Sequence, residues 1–366
     1  MKFKEFVKTN ISLFALITYI FFGFAFVAKL ISGMSAAFAD FFNRHISSIT
    51  RAIFSYTTSV VPFSIAETVV ICAIPIAVLV TALLIKKIMS AKAPWRVFFN
   101  LLGFILLLAS FFIINFGIAY NCTPIEEKIN LDRNITTDDL TDACFIAMDE
   151  VDALEKYIVR DISGASIMPY SFDTMVKKLN ESYEKLYAEY NFISPLNVRA
   201  KQIALSKPMT YTHISGVYTY FTGEANINMN YLPYIVVFST AHEMAHQRGI
   251  APEDEANFIA FLVCVNSDDE YIRYCGYAEM LQYFTSSLYG ASIDKYISVV
   301  SCLPTGLLYE YSAFSEMFAP YSGSTASKVS GAVNDTYLKM QGEAEGTASY
   351  DLVTSLATAY LVKKEK

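Results

Sequence analysis

The chain has 366 residues, 54% of them hydrophobic, 15% aromatic and 17% charged, with a mean hydropathy of +0.35. That excludes a disordered chain, which would be charge-rich and poor in aromatics, and it is too apolar for an ordinary soluble domain, where about a quarter of the residues are charged. The charge is divided: residues 1–120 hold ten Lys/Arg against Glu5, Asp40 and Glu67, so totals of 28 basic and 35 acidic leave 18 and 32 for residues 121–366, and so acidic a remainder offers no footprint for nucleic acid.

In chain order, three apolar stretches pass the length test for a bilayer span, about 20 residues with few charges. They are Ile11 to Ala28, stopped by Lys29; Thr68 to Ile85, between Glu67 and Lys86-Lys87; and Val97 to Ala119. Lys2, Lys4 and Lys8 before the first, and Lys86, Lys87, Lys92 and Arg96 between the second and third, place those segments in the cytoplasm. The 29–67 loop and everything after Tyr120 then lie outside. A cleavable signal peptide is the alternative for the first stretch, which ends in Ala25-Phe-Val-Ala28, but the run is long and the cleavage pattern poor. The 33–66 loop, rich in Ser, Thr and Phe, fits an interfacial helix, and His45 on it a solvated side chain.

Residues 121–366 suffice for one domain with its own core. Apolar residues recur at helical spacing over 139–161 (Leu140, Cys144, Ala147, Val151, Leu154, Ile158) and over 172–190, after a Ser171 cap. Further helices are expected at 271–289, 326–341 and 350–363, and one or two short strands within 211–228. The six cysteines show no metal spacing, and the five outside the spans leave at least one thiol unpaired.

Chemistry concentrates in PYIVVFSTAHEMAHQRGIAPEDEANFIAFLVCV, residues 233–265. His242 and His246 are four apart, so on a helix both imidazoles face one metal ion, with Glu243 beside the remaining position as a base. Pro233 suits the first turn of that helix and Gly249 its left-handed end. A helix otherwise so apolar must satisfy two imidazoles and a carboxylate, and a metal does so directly. A catalytic zinc keeps three protein ligands and one open position. The third comes from His45, His213 or the acids that follow Pro252. Glu253 shares a helix face with Asn257, the polar residue of an apolar run, so Glu253 is the preferred ligand and Asn257 its support. Glu255 reads as an acid favoured by the helix dipole.

HExxHxxG followed by Glu-x-x-Ala-Asn resembles the glutamate-zincin pattern. FTGEANIN (221–228), STAHEMAHQRGIAPEDEANFIAFL (239–262), YCGY (274–277), YLKMQGEAEGTASYD (337–351) and PFSIAE (62–67) together resemble the family called domain of unknown function 3810, bacterial membrane proteins regarded as zinc metallopeptidases. Two residues depart from what the resemblance leads one to expect: Cys275, where Ser would stand, and Arg248, where many zincins are apolar. The resemblance implies a membrane-anchored α+β protein, three transmembrane helices (1–120) followed by a mostly helical zincin-like domain with a small β-sheet (121–366), outside the cytoplasm. It implies zinc on His242, His246 and Glu253, Glu243 as general base, and hydrolysis of a peptide or protein substrate. Gly223 to Asn226 would pair with that substrate by strand addition. Tyr274 and Tyr277, and more weakly His213, are the candidates to hold the oxyanion. The rival reading is a non-catalytic membrane sensor or scaffold, whose zinc site would be closed by a fourth ligand such as His213 or Glu224.

Overall fold

A computed structural model describes residues 3–90, 94–343, 346 and 352–364. Helices α1 (Phe3–Asn10) and α2 (Leu13–Ser32) come first, and the Ser12 hydroxyl caps α2 by accepting from the Ala15 N–H. Next are α3 (Ala36–Phe42) and α4 (Ser48–Ser59), joined by a π-helical turn at Asn43–Ser47. After α5 (Ile65–Ser90), α6 (Pro94–Phe112) continues through a second π-helical turn at Ile113–Gly117 as far as Asn121. Among the described residues, two helices are long and apolar enough to cross a membrane: Leu13–Ser32 and Trp95–Asn121, which pack along each other. The second of them contains the third expected span, and the first covers the first expected span from Leu13 on. The second expected span lies within α5, where Val70, Ile76, Val78 and Leu79 are exposed.

The segment between the first two expected spans has protein partners of its own. It is folded onto the acidic remainder, so packing does not break at residue 120. Glu224 accepts from the Ile65 and Ala66 N–H groups at 3.1 and 2.8 Å and so caps α5. Glu67 accepts in turn from the N–H groups of Ala204 and Leu205 at 2.9 and 2.7 Å. Lys201 donates to the Thr58 carbonyl at 2.9 Å. Arg51, fully buried, donates to the carbonyls of Asn43 and Asn115 at 3.1 Å each. Those carbonyls belong to the two π-helical turns, so one buried side chain ties the turns together.

The remainder is a mostly helical α+β unit: α7 (Ile125–Lys128), α8 (Thr137–Glu155), α9 (Phe172–Glu189), α10 (Ser206–Thr210), α11 (Pro233–Gln247), α12 (Glu253–Val265), α13 (Glu270–Ala291), α14 (Ile293–Val300), α15 (Thr305–Phe318), α16 (Thr325–Gln341) and α17 (Val353–Lys364). A capping box between Thr136 and Asp139 starts α8, and Ser171 caps α9. The first two residues of the expected 350–363 helix lie outside the described residues. All of α12 is buried, as is α11 from Tyr234 on, which is why both read as apolar on every face; α13 and α9 pack on both, α17 packs on α12, and α8 packs behind on α13 and α17. Strands β1 (Lys201–Gln202), β2 (Gly216–Thr219) and β3 (Glu224–Ile227) form one sheet in the order β1-β3-β2, β3 running parallel to β1 and antiparallel to β2. All six cysteines are free.

One buried acid gives the fold a pH dependence. Glu279 Oε2 is buried without a hydrogen-bond partner, and burial pushes its carboxyl up to about 7. The folded state therefore holds this proton where the unfolded chain has released it. The contribution to stability is full below the ordinary carboxylate range and is lost as pH rises through about 7. Glu279→Gln should flatten that slope and stabilise the protein at pH 8 by about 1–3 kcal/mol, on ~1.4 kcal/mol per unit reduced for partial exposure. Urea midpoints in detergent at pH 5 and pH 8 check it. A variant that tracks the native protein at both would show that Glu279 carries no strain.

Candidate metal centre

α11 begins with Pro233 at its first turn and ends at Gln247 because Gly249, at φ +96°, turns the chain into the left-handed region. The chain then doubles back through Ile250 and Pro252 into α12. The reversal brings Glu253 to the HExxH. Its Oε2 lies 3.2 Å from His242 Nε2 and 3.3 Å from His246 Nε2. Ligand atoms of the three residues all lie within 4.8 Å of one another, and all three residues are buried. Each imidazole is oriented from behind. His242 Nδ1 donates to Asn257 Oδ1 at 2.8 Å, one turn along α12 from Glu253, and His246 Nδ1 donates to the Ile250 carbonyl at 2.7 Å. Both partners are acceptors, so each Nδ1 carries a proton, and each Nε2, aimed at Glu253, is the nitrogen left to bind a metal once deprotonated.

This donor set fits a divalent cation. Bonds of about 2.0–2.2 Å in a tetrahedral zinc site put ligand atoms ~3.3 Å apart, the separation seen here. Glu253 Oε2 is buried and makes no well-aligned hydrogen bond, an orphan that a metal would satisfy. Burial opposes a charge on His246, but Glu253 outweighs it and holds the imidazole up at about 9. Burial likewise raises Glu253, while the two imidazoles hold it well below the usual carboxylate range.

Glu243 stands beside the triad. Burial pushes its carboxyl up, partly offset by both imidazoles and by the Tyr218 backbone N–H, which donates to it. It is also crowded by β2: a Cβ on Gly216 would come 2.6 Å from Glu243 Cγ and 2.8 Å from Oε1, so only glycine fits there.

The other expected residues are engaged elsewhere. Tyr274 accepts from Arg160 at 2.9 Å and reaches Glu310 Oε1 at 3.3 Å. Tyr277 packs on Phe261, two turns along α12 from Glu253. The fold thus does not bring either hydroxyl to the triad. His213 bonds the Tyr321 carbonyl, Glu224 caps α5, and exposed His45 stacks on Phe41, so none of them is a fourth ligand. Arg248 is buried over the Tyr183 ring at 3.9 Å and donates to Asn180, tying the end of α11 to α9. β3, which holds Glu224 to Asn226 of the segment expected to take substrate, is the central strand and is bonded on both sides. The edges are β1 and β2, and it is β2 whose alternation turns Gly216 and the Tyr218 N–H towards Glu243.

Sequence reasoning missed the wall supplied by α6. Phe116, in the second π-helical turn, meets His246 edge-on at 5.3 Å and Tyr218 at 5.6 Å. Asn43 donates to the Gly249 carbonyl and Asn115 to the Tyr220 carbonyl, so the two π-helical turns hold both flanks of the site. Tyr337 of α16 meets Phe112 at 6.0 Å, and its hydroxyl pairs with that of Tyr120 at 3.3 Å. It opens the YLKMQGEAEG stretch that carries the family resemblance, a signal that could have singled it out. No curated protein and no solved structure matches the chain. The family described as protein of unknown function DUF3810 matches residues 42–358, most of the chain, including both π-helical turns, the HExxH and α12, and the chain belongs to that family.

Proposed function

We propose that the protein is a membrane-bound zinc metallopeptidase. The observation that carries this reading is the buried His242, His246 and Glu253 set, converging within 4.8 Å with Glu243 alongside. Zinc, when bound by these three residues, supplies a Lewis acid that polarises the scissile carbonyl and acidifies water. Glu243, its pKa raised by burial, takes the proton from water and delivers it to the leaving amine. Asn257 and the Ile250 carbonyl keep the imidazoles in register, and the free edge of β2 is where an extended peptide would pair. Tyr337, which lies against Phe112 and pairs with Tyr120 beside the wall of the site, is the candidate to steady the oxyanion. Metal analysis of the purified full-length protein, followed by a peptide-library digest with and without chelator, tests the reading. Absence of chelator-sensitive cleavage by metal-loaded protein would overturn it.

Gly216→Ala should lower turnover by at least tenfold with the metal retained, because the added Cβ displaces Glu243 and no ligand. Zinc content and hydrolysis, measured on the same sample, separate the two effects. Unchanged hydrolysis would mean that β2 yields instead.

Three spans are part of the same reading, with α5 covered by lipid along its exposed apolar side chains, the N-terminus cytoplasmic and the metal centre outside. Cys302 is exposed, so a membrane-impermeant maleimide should label it in intact cells, and Cys302→Ser should abolish that label. Labelling only after permeabilisation would reverse the orientation.

A further inference from the structure

We infer that the substrate is an extended segment at the membrane surface, the juxtamembrane part of a polypeptide anchored in the same bilayer. This rests on the peptidase reading and narrows its substrate class. The rise from Trp95 to Phe116 is ~32 Å at ~1.5 Å per residue, the thickness of a hydrocarbon core. Phe98, Phe104 and Ile105 are exposed along that length, as lipid contact requires. Trp95 then sits at one interface and Phe116 at the other. Lys29, near the end of the neighbouring α2, donates to the Gly117 carbonyl at 2.6 Å, a cation drawn to the same level. Phe116 is also the residue whose ring touches His246, at 5.3 Å. The metal centre is therefore fixed to the outer end of a span, within one side chain of the lipid boundary.

Access narrows the class further. His242, Glu243, His246 and Glu253 are each 8% exposed or less, so a folded surface cannot reach them. An extended strand can, along β2, whose Tyr218 packs on Phe116. Aromatic rings line this side: Phe112 meets Tyr220 at 5.2 Å and Tyr337 at 6.0 Å. Such rings suit a chain leaving the interface, where amphipathic side chains collect. A substrate tethered in the same bilayer is also held at high effective concentration beside the site.

The test uses the zinc-loaded full-length protein in vesicles of phosphatidylcholine and phosphatidylglycerol. The probe is a polypeptide with one apolar transmembrane helix followed by a 40-residue unstructured segment of mixed sequence, supplied with and without its anchor. Mass spectrometry should place the cuts within about ten residues of the anchor, ~34 Å of extended chain. The anchored form should be cut at least tenfold faster. A second readout is independent of turnover: Glu243→Gln carrying a photo-crosslinker in place of Tyr220, whose ring meets Phe112 on the side of the site, should capture the anchored segment in preference to the free one. Cuts spread evenly, or equal rates and capture for both forms, would overturn this inference and leave the peptidase reading intact. Selective capture without any cutting would overturn the peptidase reading and keep the occupant.

Discussion

Glu243→Gln should keep its full complement of zinc and lose hydrolysis by on the order of 10³-fold, about 4 kcal/mol of barrier. The two effects separate because Glu243 is outside the ligand set: the converging atoms belong to His242, His246 and Glu253. Glutamine has the shape of glutamate, so it fits between Gly216 and the triad and its amide oxygen still accepts from the Tyr218 N–H. It lacks the ability to take and return a proton. Glu243→Ala would lose the same proton transfer but would also open a cavity beside β2, so the glutamine variant isolates the chemistry. Metal content from elemental analysis and initial rates on one preparation decide the point. Undiminished hydrolysis in Glu243→Gln would remove this residue from the mechanism and leave the site as a binding centre only.

The parts of the site that were legible in the sequence are those set by local rules. HExxH at helical spacing, Gly249 as a left-handed terminator and the turn at Pro252 are short-range features, and the structure has α11 and α12 where those rules put them. The helical period likewise located α8 and α9, and the further helices expected at 271–289 and 326–341 are α13 and α16, with ends shifted by up to six residues. What was not legible depends on packing between segments far apart. β1 is two residues long and has no alternation to detect. The 33–66 segment is amphipathic, and amphipathicity alone cannot distinguish a membrane surface from a protein surface as its partner. The carbonyls of the π-helical turns at 43–47 and 113–117 are used by Arg51, a residue whose burial no local pattern announces. Tyr274 and Tyr277 follow a similar logic. A tyrosine in a motif can serve packing or chemistry, and only the tertiary fold turns Tyr274 to Arg160 and Glu310 while pairing Tyr337 of α16 with Tyr120 beside the metal centre.

Three consecutive acids open α12, and the structure gives them three different partners, so their substitutions should diverge. Glu253 Oε2 meets both Nε2 atoms at 3.2 and 3.3 Å. Asp254 forms an ion pair with Arg133 at 2.8 Å. Glu255 accepts from the Ile125 N–H at 2.9 Å, on the far side of the helix, and burial, reinforced by Asp254, pushes its carboxyl up to about 8. Glu253→Gln replaces an anionic ligand by a neutral amide that binds a cation poorly, and it removes the charge that holds the two imidazoles. Zinc affinity should fall at least tenfold, ~1.4 kcal/mol or more, as for other losses at a metal centre. Glu255→Gln replaces a carboxyl that is largely protonated at pH 7 by a group of the same shape that still accepts from Ile125. Its zinc affinity should stay within about twofold, with only a small helix-dipole change. Asp254→Asn should also keep the metal, since its loss falls on an ion pair at the rim. Zinc titrations of the three variants against a competing chelator measure the split. If Glu255→Gln loses the metal and Glu253→Gln keeps it, Glu253 is not the third ligand, and the support assigned to Asn257 falls with it.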